Sequence, residues 1–555
     1  MKGGLRKSMT WLHTWSSLIV IWLLFAIFLT GTTAFFKNEI THWMTPEQHV
    51  SAPSDDSLKV AVERLTQVAP YAQSWDIDLP DERSRMLGLN WLAEGEQQQR
   101  RRGPRETLDA GTGELIEGRE TAGGDFLYRF HFELWGLPRD LARTLVGSAS
   151  MLMFIAIISG IIMHRKIFAD FFTFRPGKKT ASWVDAHVVG SVLALPFHIM
   201  ITFSGLMLLA GTLLFWQDNG HGGQGGALGG GHGSPQGEGR AAMEQQADHG
   251  NDRGGEGRGE GNGEDQGKPR QERSASAVEL DFNAMLAIAE QRWDQPSYRI
   301  SISKPMTRDA EVTLQPAHRT RLNNGKWGVP SMTFDITGNV ISETATPEPD
   351  SVVGALRGMF KILHEAKFAD VFVRWLFFFS GVLGTVMVGS GALLWSIKRE
   401  RQQAGNKGFE LVSALNLAGI AGLFVALGAY FWANRLVPVA IDGRREIEIY
   451  SFFAAWGLCL LHALVLRQKQ GWLIQLSVAA GLFLLLPVLD FITSPVGLFT
   501  AISDGDWMRL GFDIIALLTA AGLFTAVRQQ RKKAQQPARG NGRKSNKTVL
   551  KERQA

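Results

Sequence analysis

The chain has 555 residues and a formal net charge of +5, with 58 Lys and Arg against 53 Asp and Glu. Its mean hydropathy is near neutral because the apolar residues are gathered into blocks, which excludes an evenly patterned soluble domain. A single cysteine, Cys459, excludes an internal disulfide, a C-x-x-C-H cofactor attachment and a cysteine-held cluster.

The blocks have the length that crosses a hydrocarbon core, and they predict spans near 11–36, 141–163, 184–216, 372–397, 411–433, 449–466, 472–493 and 510–527. Eight spans put both termini on one side. Lys2, Arg6, Lys7, Arg165, Lys166, Lys178, Lys179, Lys398, Arg399 and Arg401 flank the span ends opposite the two long loops, so the positive-inside rule makes the termini cytoplasmic. The first block is too long for a signal-peptide core and lacks a small-residue cleavage site, so it is expected to stay as a helix. The basic tail from Arg528 then reads as an orientation signal, with no nucleic acid as partner.

In chain order, the pattern divides into a first span (1–36), a soluble module (37–139), spans two and three with their loop (140–216), and a Gly-rich segment (217–273). A second module (274–370), a fourth span (371–398), an appended four-span bundle (411–527) and the tail (528–555) follow. Each module opens on a helical stretch, SLKVAVERLTQVA or FNAMLAIAEQRW, and continues into alternating runs that close on glycine turns, LDAGTGELI and MTFDITGNVI. The segment between the third span and the second module is too rich in Gly and charge to bury a core and reads as a flexible linker. His221, His232 and His249 within it have no ligand spacing, and metal binding there is not expected.

The order of span, module, histidine and span is the same in 1–166 and 183–398, a tandem repeat of parallel topology. Histidines mark it. His13 and His187 open the first and third spans, each with a Thr-Gly or Ser-Gly pair 17 and 18 residues on; His131 and His364 precede the second and fourth. His164 closes the second span, where the repeat has Trp395, and is an alternative to His13 and His187 at that level. His198 lies 11 residues after His187, which on one continuous helix places both within about 20° of one face and about 16 Å apart.

Imidazoles at membrane depth are costly and suit iron porphyrin held between two rings, so the residues point to a membrane electron carrier. Gly31, Gly160, Gly205, Gly381, Gly384, Gly389 and Gly391 allow a macrocycle or a helix to come close. Arg129, Arg139, Arg143, Arg357, Lys361 and Arg374 surround His131 and His364, where they suit haem propionates or an anionic ferric chelate. No nucleotide or flavin fingerprint follows a strand, so the electron donor must come from outside.

These features resemble the PepSY-associated transmembrane proteins, iron-regulated proteins of the bacterial inner membrane that include ferric-siderophore reductases. The likeness rests on Leu12-His13-x-Trp15 followed by Thr30-Gly31, the D-x-x-T-G module end, the H-R-K after the second span, and Ser390-Gly391-x-Leu393-x-Trp395. It covers about residues 8–398. The resemblance implies a four-helix, haem-carrying core with periplasmic PepSY modules; with the Gly-rich insertion and spans five to eight, by which the chain departs from the short four-span members, the expected fold is a mainly α-helical membrane protein, eight transmembrane helices with two α+β PepSY-like periplasmic modules. The resemblance further implies that His13, His131, His164, His187, His198 and His364 hold haem iron, with two non-covalent haem b groups and an open pairing.

The implied partners are the lipid bilayer, a ferric siderophore, a quinol or cytoplasmic reductase as donor, and periplasmic iron-uptake proteins. Two other readings stand beside this one. The modules could bind a periplasmic protein with the spans as a mere anchor, or the chain could transport iron or a siderophore, an idea that Asp490 and Asp513 in the appended bundle favour.

Overall fold

In the computed structural model the described residues are 3–94, 105–164, 179–213, 281–316, 330–344, 352–400, 402, 403, 405–466 and 468–535. The Gly-rich segment with His221, His232 and His249, and the tail beyond residue 535, lie outside them. Among the described residues, seven helices are long and apolar enough to cross a membrane: Gly4–Ala34, Arg139–Met163, Val371–Arg399, Lys407–Leu436, Arg444–Val465, Gln470–Thr493 and Trp507–Lys532.

The eighth expected span is a pair, Ser182–Leu193 and Leu195–Ala210, bent by 69°. Pro196 lies at the break; its ring lacks an N–H and clashes with the carbonyl one turn back, which ends the first helix. The bend corrects the expectation that His187 and His198 share one face of a straight helix. They sit on opposite sides of the break and face different neighbours.

The two modules form one sheet. Seven strands run in the order β3-β2-β1-β4-β5-β6-β7, where β1 is Ser74–Asp78, β2 Met86–Leu92 and β3 Glu106–Asp109 from the first module. β4 (Ser297–Ser303), β5 (Glu311–Pro316), β6 (Ser331–Phe334) and β7 (Val340–Thr344) come from the second. The seam is the antiparallel pair β1 and β4, with Trp75 opposite Ile302 and Ile77 opposite Ile300. Arg299 clamps Asp78 across it at 2.6 Å, and Ser301 donates to Asp76.

Strand alternation supplies the core. Trp75, Ile77, Leu87, Leu89, Ile300, Ile302, Val312 and Leu314 point inward onto the module helices Ser57–Val68 and Phe282–Trp293. Both turns read from the sequence close on an aspartate. Asp109 accepts from the Gly111 and Thr112 N–H groups, and Asp335 from those of Thr337 and Asn339, while Gly113 and Gly338 take positive φ.

Below the sheet, the first four spans pack with glycines where backbones must approach. A Cβ at Gly381 would lie 2.4 Å from Thr32 on the first span, and one at Gly190 3.0 Å from the Leu383 carbonyl. The appended bundle is fused to this quartet. Trp22 of the first span donates to Asn416 at 2.8 Å and covers Gly419.

Nearer the sheet, the segment Lys37–Val50 plugs into the bundle by a buried polar cluster. Asp490 bridges Arg435 and Arg509 at 2.7 and 2.6 Å, Trp43 donates to Asp513, and His42 pairs with Asp506 at 3.0 Å. All these charges are buried, so the pairing is what makes their burial tolerable.

Candidate functional site

Four of the six sequence-predicted histidines form two pairs. His13 and His187 have ring centroids 6.3 Å apart at 76°, and His131 and His364 have centroids 6.0 Å apart at 35°. The first pair is carried by the first and third spans. The second is carried by two short helices outside the spans, Gly123–Glu133 and Val352–Glu365.

Three of the four rings are seated on a carbonyl and a glycine, and the fourth, His364, on a hydroxyl beside such a carbonyl and glycine. His13 Nδ1 lies 2.8 Å from the Ala156 carbonyl and His187 Nδ1 2.8 Å from that of Met387; each carbonyl is four residues before a glycine, Gly160 or Gly391, on which the ring rests. His131 Nδ1 meets the Ile27 carbonyl at 2.8 Å above Gly31. His364 interacts with the Ile201 carbonyl and with Ser204 Oγ at 2.9 Å above Gly205.

One helical turn thus supplies both halves of each seat, a carbonyl to take the ring proton and, four residues on, a residue without a side chain. A Cβ at Gly31 would lie 2.5 Å from His131, and at Gly205 3.0 Å from His364; at Gly160 and Gly391 the distances are 3.3 and 3.4 Å. Of the glycines singled out in the sequence, Gly31, Gly160, Gly205 and Gly391 receive these imidazoles, whereas Gly381 meets Thr32 and Gly389 meets Phe25.

An Nδ1–H donated to a carbonyl fixes the tautomer in which Nε2 carries a lone pair. Nε2 makes no hydrogen bond in any of the four rings among the described residues. Burial reinforces this state in the second pair. Desolvation lowers His131, against the Ile27 carbonyl, and lowers His364 to about 3, with the charge of His131 adding to the effect and the Ile201 carbonyl opposing it.

His164 and His198 fall outside the pairs. His164 ends the second span, half-buried, with its N–H on the Gly160 carbonyl, close enough to interact electrostatically with His13 and His187. His198 is 1% exposed and edge-on to Phe28 at 6.1 Å; it abuts Gly384 and makes no hydrogen bond of full geometry, although the Ser380 carbonyl is near. It lies one turn before Ile201, with its ring against Phe28, Phe197 and Gly384.

A cavity of about 1090 Å³ opens above His131 and His364 and reaches the first-module loop Pro80–Arg83 and the start of β4. Ten Lys and Arg side chains line it against five Asp and Glu. Arg139 and Arg143 share Glu133, and Arg374 lies 3.6 Å from Glu39, so part of this charge is already engaged within the wall. Among the described residues no three His, Cys, Asp or Glu side chains converge as a metal site.

The profile of the PepSY-associated TM region matches residues 10–398, a stretch that holds every one of these histidines and both modules. The chain belongs to this family. It is a multi-pass membrane protein of that family, and the appended bundle, from residue 407 on, lies beyond the matched region. No curated protein matches the chain.

Sequence reasoning missed the carbonyl partner of each ring and the pairing itself. The signal for the partners was present, since Ala156, Met387, Ile27 and Ile201 each stand four residues before a glycine already under suspicion.

Proposed function

We propose that this protein is a haem-dependent reductase of the bacterial inner membrane that carries electrons across the bilayer to a ferric siderophore in the periplasm, releasing ferrous iron for uptake. The observation that carries this reading is the twofold occurrence of a histidine pair with tethered Nδ1 and unpaired Nε2, at centroid separations of 6.3 and 6.0 Å. Two imidazole nitrogens about 2 Å from one metal put the ring centroids roughly 6 Å apart. Two protein ligands also suit a metal whose remaining bonds belong to a macrocycle, and the donor set contains no competing cluster among the described residues.

In this reading His13 with His187, and His131 with His364, hold one haem b each, both non-covalently. Haem supplies the one-electron chemistry. The protein contributes the rest: the four carbonyls keep the rings neutral and aimed, the apolar spans exclude water, and the cationic cavity gathers an anionic ferric chelate at its mouth. The termini and the inner pair are placed on the cytoplasmic side, where a quinol or a cytoplasmic reductase is the donor. Each electron delivered converts one ferric ion to ferrous.

Mixing the anaerobically reduced full-length protein with a ferric chelate and a ferrous trap tests the proposal. Reoxidation of the haem bands with matching ferrous release is expected; haem that stays reduced in the presence of chelate overturns it.

One observation favours a second reading, a purely binding role. β7 is an exposed edge strand, with Val340 and Ile341 about half accessible, as a partner adding a strand would require. That reading predicts a colourless protein. Asp490 and Asp513, which keep a modest transport idea alive, are engaged by Arg435, Arg509 and Trp43.

A further inference from the structure

The appended bundle grips one of the two ligand-bearing helices, the one that carries His131. At the start of the His131 helix, Glu448 accepts from the Ala122 N–H at 2.9 Å and from the Thr121 hydroxyl at 2.8 Å, while its second oxygen accepts from Asn434. Tyr430 donates to the Gly123 carbonyl at 2.8 Å, and Asn434 also donates to Thr121. Arg119, just upstream, is held between Glu47 and the Asn434 carbonyl.

Glu448, Asn434 and Tyr430 are fully buried, so these bonds are made away from water, where leaving one unmade is costly. A carboxylate at this end also faces the positive pole of the helix. One turn further on, Phe126 and Phe130 lie four residues apart on one face of the helix and pack onto Phe452 and Phe453 of the bundle. His131, about 100° around from Phe130, is thereby turned toward the first span. Its ring lies closest of the four to its glycine, 2.5 Å from the position a Cβ would take.

The repeat-related helix is more open at its start. Val352, Val353 and Leu356 at its start are exposed, 77%, 71% and 45%, and its anchoring contacts are to the third span, through Ser204 and Phe203.

We infer that Glu448, with Tyr430 and Asn434, is a positioning residue for His131: the appended bundle sets the axial position of the His131 helix and through it the ligand geometry and reduction potential of the outer haem. This rests on the haem reading above. Glu448 touches neither histidine. It acts through nine residues of helix, about 13 Å, whose register it fixes.

The test uses the full-length haem-loaded protein and compares Glu448→Ala, Glu448→Gln and Tyr430→Phe with Glu446→Gln, a change at an exposed position of the same helix. Redox titration and electron paramagnetic resonance read both haems in one sample, and a His131→Ala protein identifies the outer signal. Glu448→Ala is expected to shift the midpoint and line shape of the outer haem alone. Glu448→Gln, which keeps an acceptor oxygen, should recover most of the wild-type signal, Tyr430→Phe should shift it in the same direction by less, and Glu446→Gln should do nothing.

A readout independent of cofactor is amide exchange over residues 123–133 in haem-free protein, expected to quicken in Glu448→Ala while residues 352–365 stay unchanged. If Glu448→Ala fails to accumulate, Tyr430→Phe and Glu448→Gln decide. Both haem signals unmoved in folded variants, or both moved together, would overturn the inference and leave the reductase proposal standing. Wild-type protein purified from haem-replete cells without haem would remove the reductase proposal itself, and the exchange measurement alone would then judge the clamp.

Discussion

The inner pair, His13 and His187, and the outer pair, His131 and His364, use the same seat in two mechanical settings. The inner rings project from the first span and from the first half of the bent third span onto two long neighbouring spans, so the pair is fixed by the quartet itself. Both outer rings project from short helices that hang between the sheet and the spans, and their position depends on what holds those helices. The seat is thus a portable unit of membrane packing, a helix carbonyl that also accepts the hydroxyl of a Ser or Thr three residues on and is followed four residues later by glycine. What differs is the freedom of the element that delivers the ring to it. The outer pair is also the one under the large cationic cavity, where the soluble sheet can reach it.

Removing one ligand breaks the comparison most severely. His187→Ala should eliminate the inner haem and His131→Ala the outer, each halving the haem-to-chain ratio measured by pyridine haemochrome. Loss of both from either change would mean that the pairs are not independent.

Glycine substitutions probe the seats more finely. Gly31→Ala forces a Cβ to within 2.5 Å of the His131 ring, an overpacking that costs about 1–3 kcal/mol and should deplete the outer haem. Gly391→Ala meets His187 at an ordinary 3.4 Å and should leave the inner haem in place. Equal loss in both variants, by thermal denaturation and haem content, would sink the ranking of the four seats.

Acid should act on the outer pair through a defined window. His364 has an ordinary value of 6.5 in the unfolded chain and about 3 in the fold, and His131 is lowered in the same sense. Between those limits the unfolded chain takes up protons that the native state refuses, so stability falls as pH drops from about 6.5 toward 3 and is unaffected by these groups above 6.5. Haem-free protein should lose stability in chemical denaturation progressively across that window; a flat profile would contradict the buried neutral state. The smallest effect expected is electrostatic. Reoxidation by an anionic ferric chelate should slow with rising salt and slow modestly in Arg357→Glu, measured by stopped flow.

Much of this was legible in the chain. Hydropathy located the spans because a bilayer demands some twenty apolar residues in a row, and the tandem repeat marked His13, His187, His131 and His364 as equivalents. Pairing was not legible, since each pair joins residues 174 or 233 positions apart, and periodicity says nothing about which spans meet. The bend at Pro196 was written in the sequence, but a continuous apolar run hid it and placed His187 and His198 on one false face. The joining of two modules into one sheet depends on the β1 and β4 seam, where Asp76 and Asp78 find Ser301 and Arg299 across more than 200 residues. Glu448 escaped notice because the predicted span began at 449, so the residue read as a charged flank; its partners Thr121 and Ala122 lie in another module.

The central claim is that two histidine pairs each clamp one iron porphyrin. Its most direct measurement is the absorption spectrum and haem-to-chain ratio of full-length protein purified from haem-replete cells, before and after dithionite. The account predicts sharp reduced bands of low-spin bis-imidazole haem at two haems per chain. A colourless protein with all four histidines intact would contradict it.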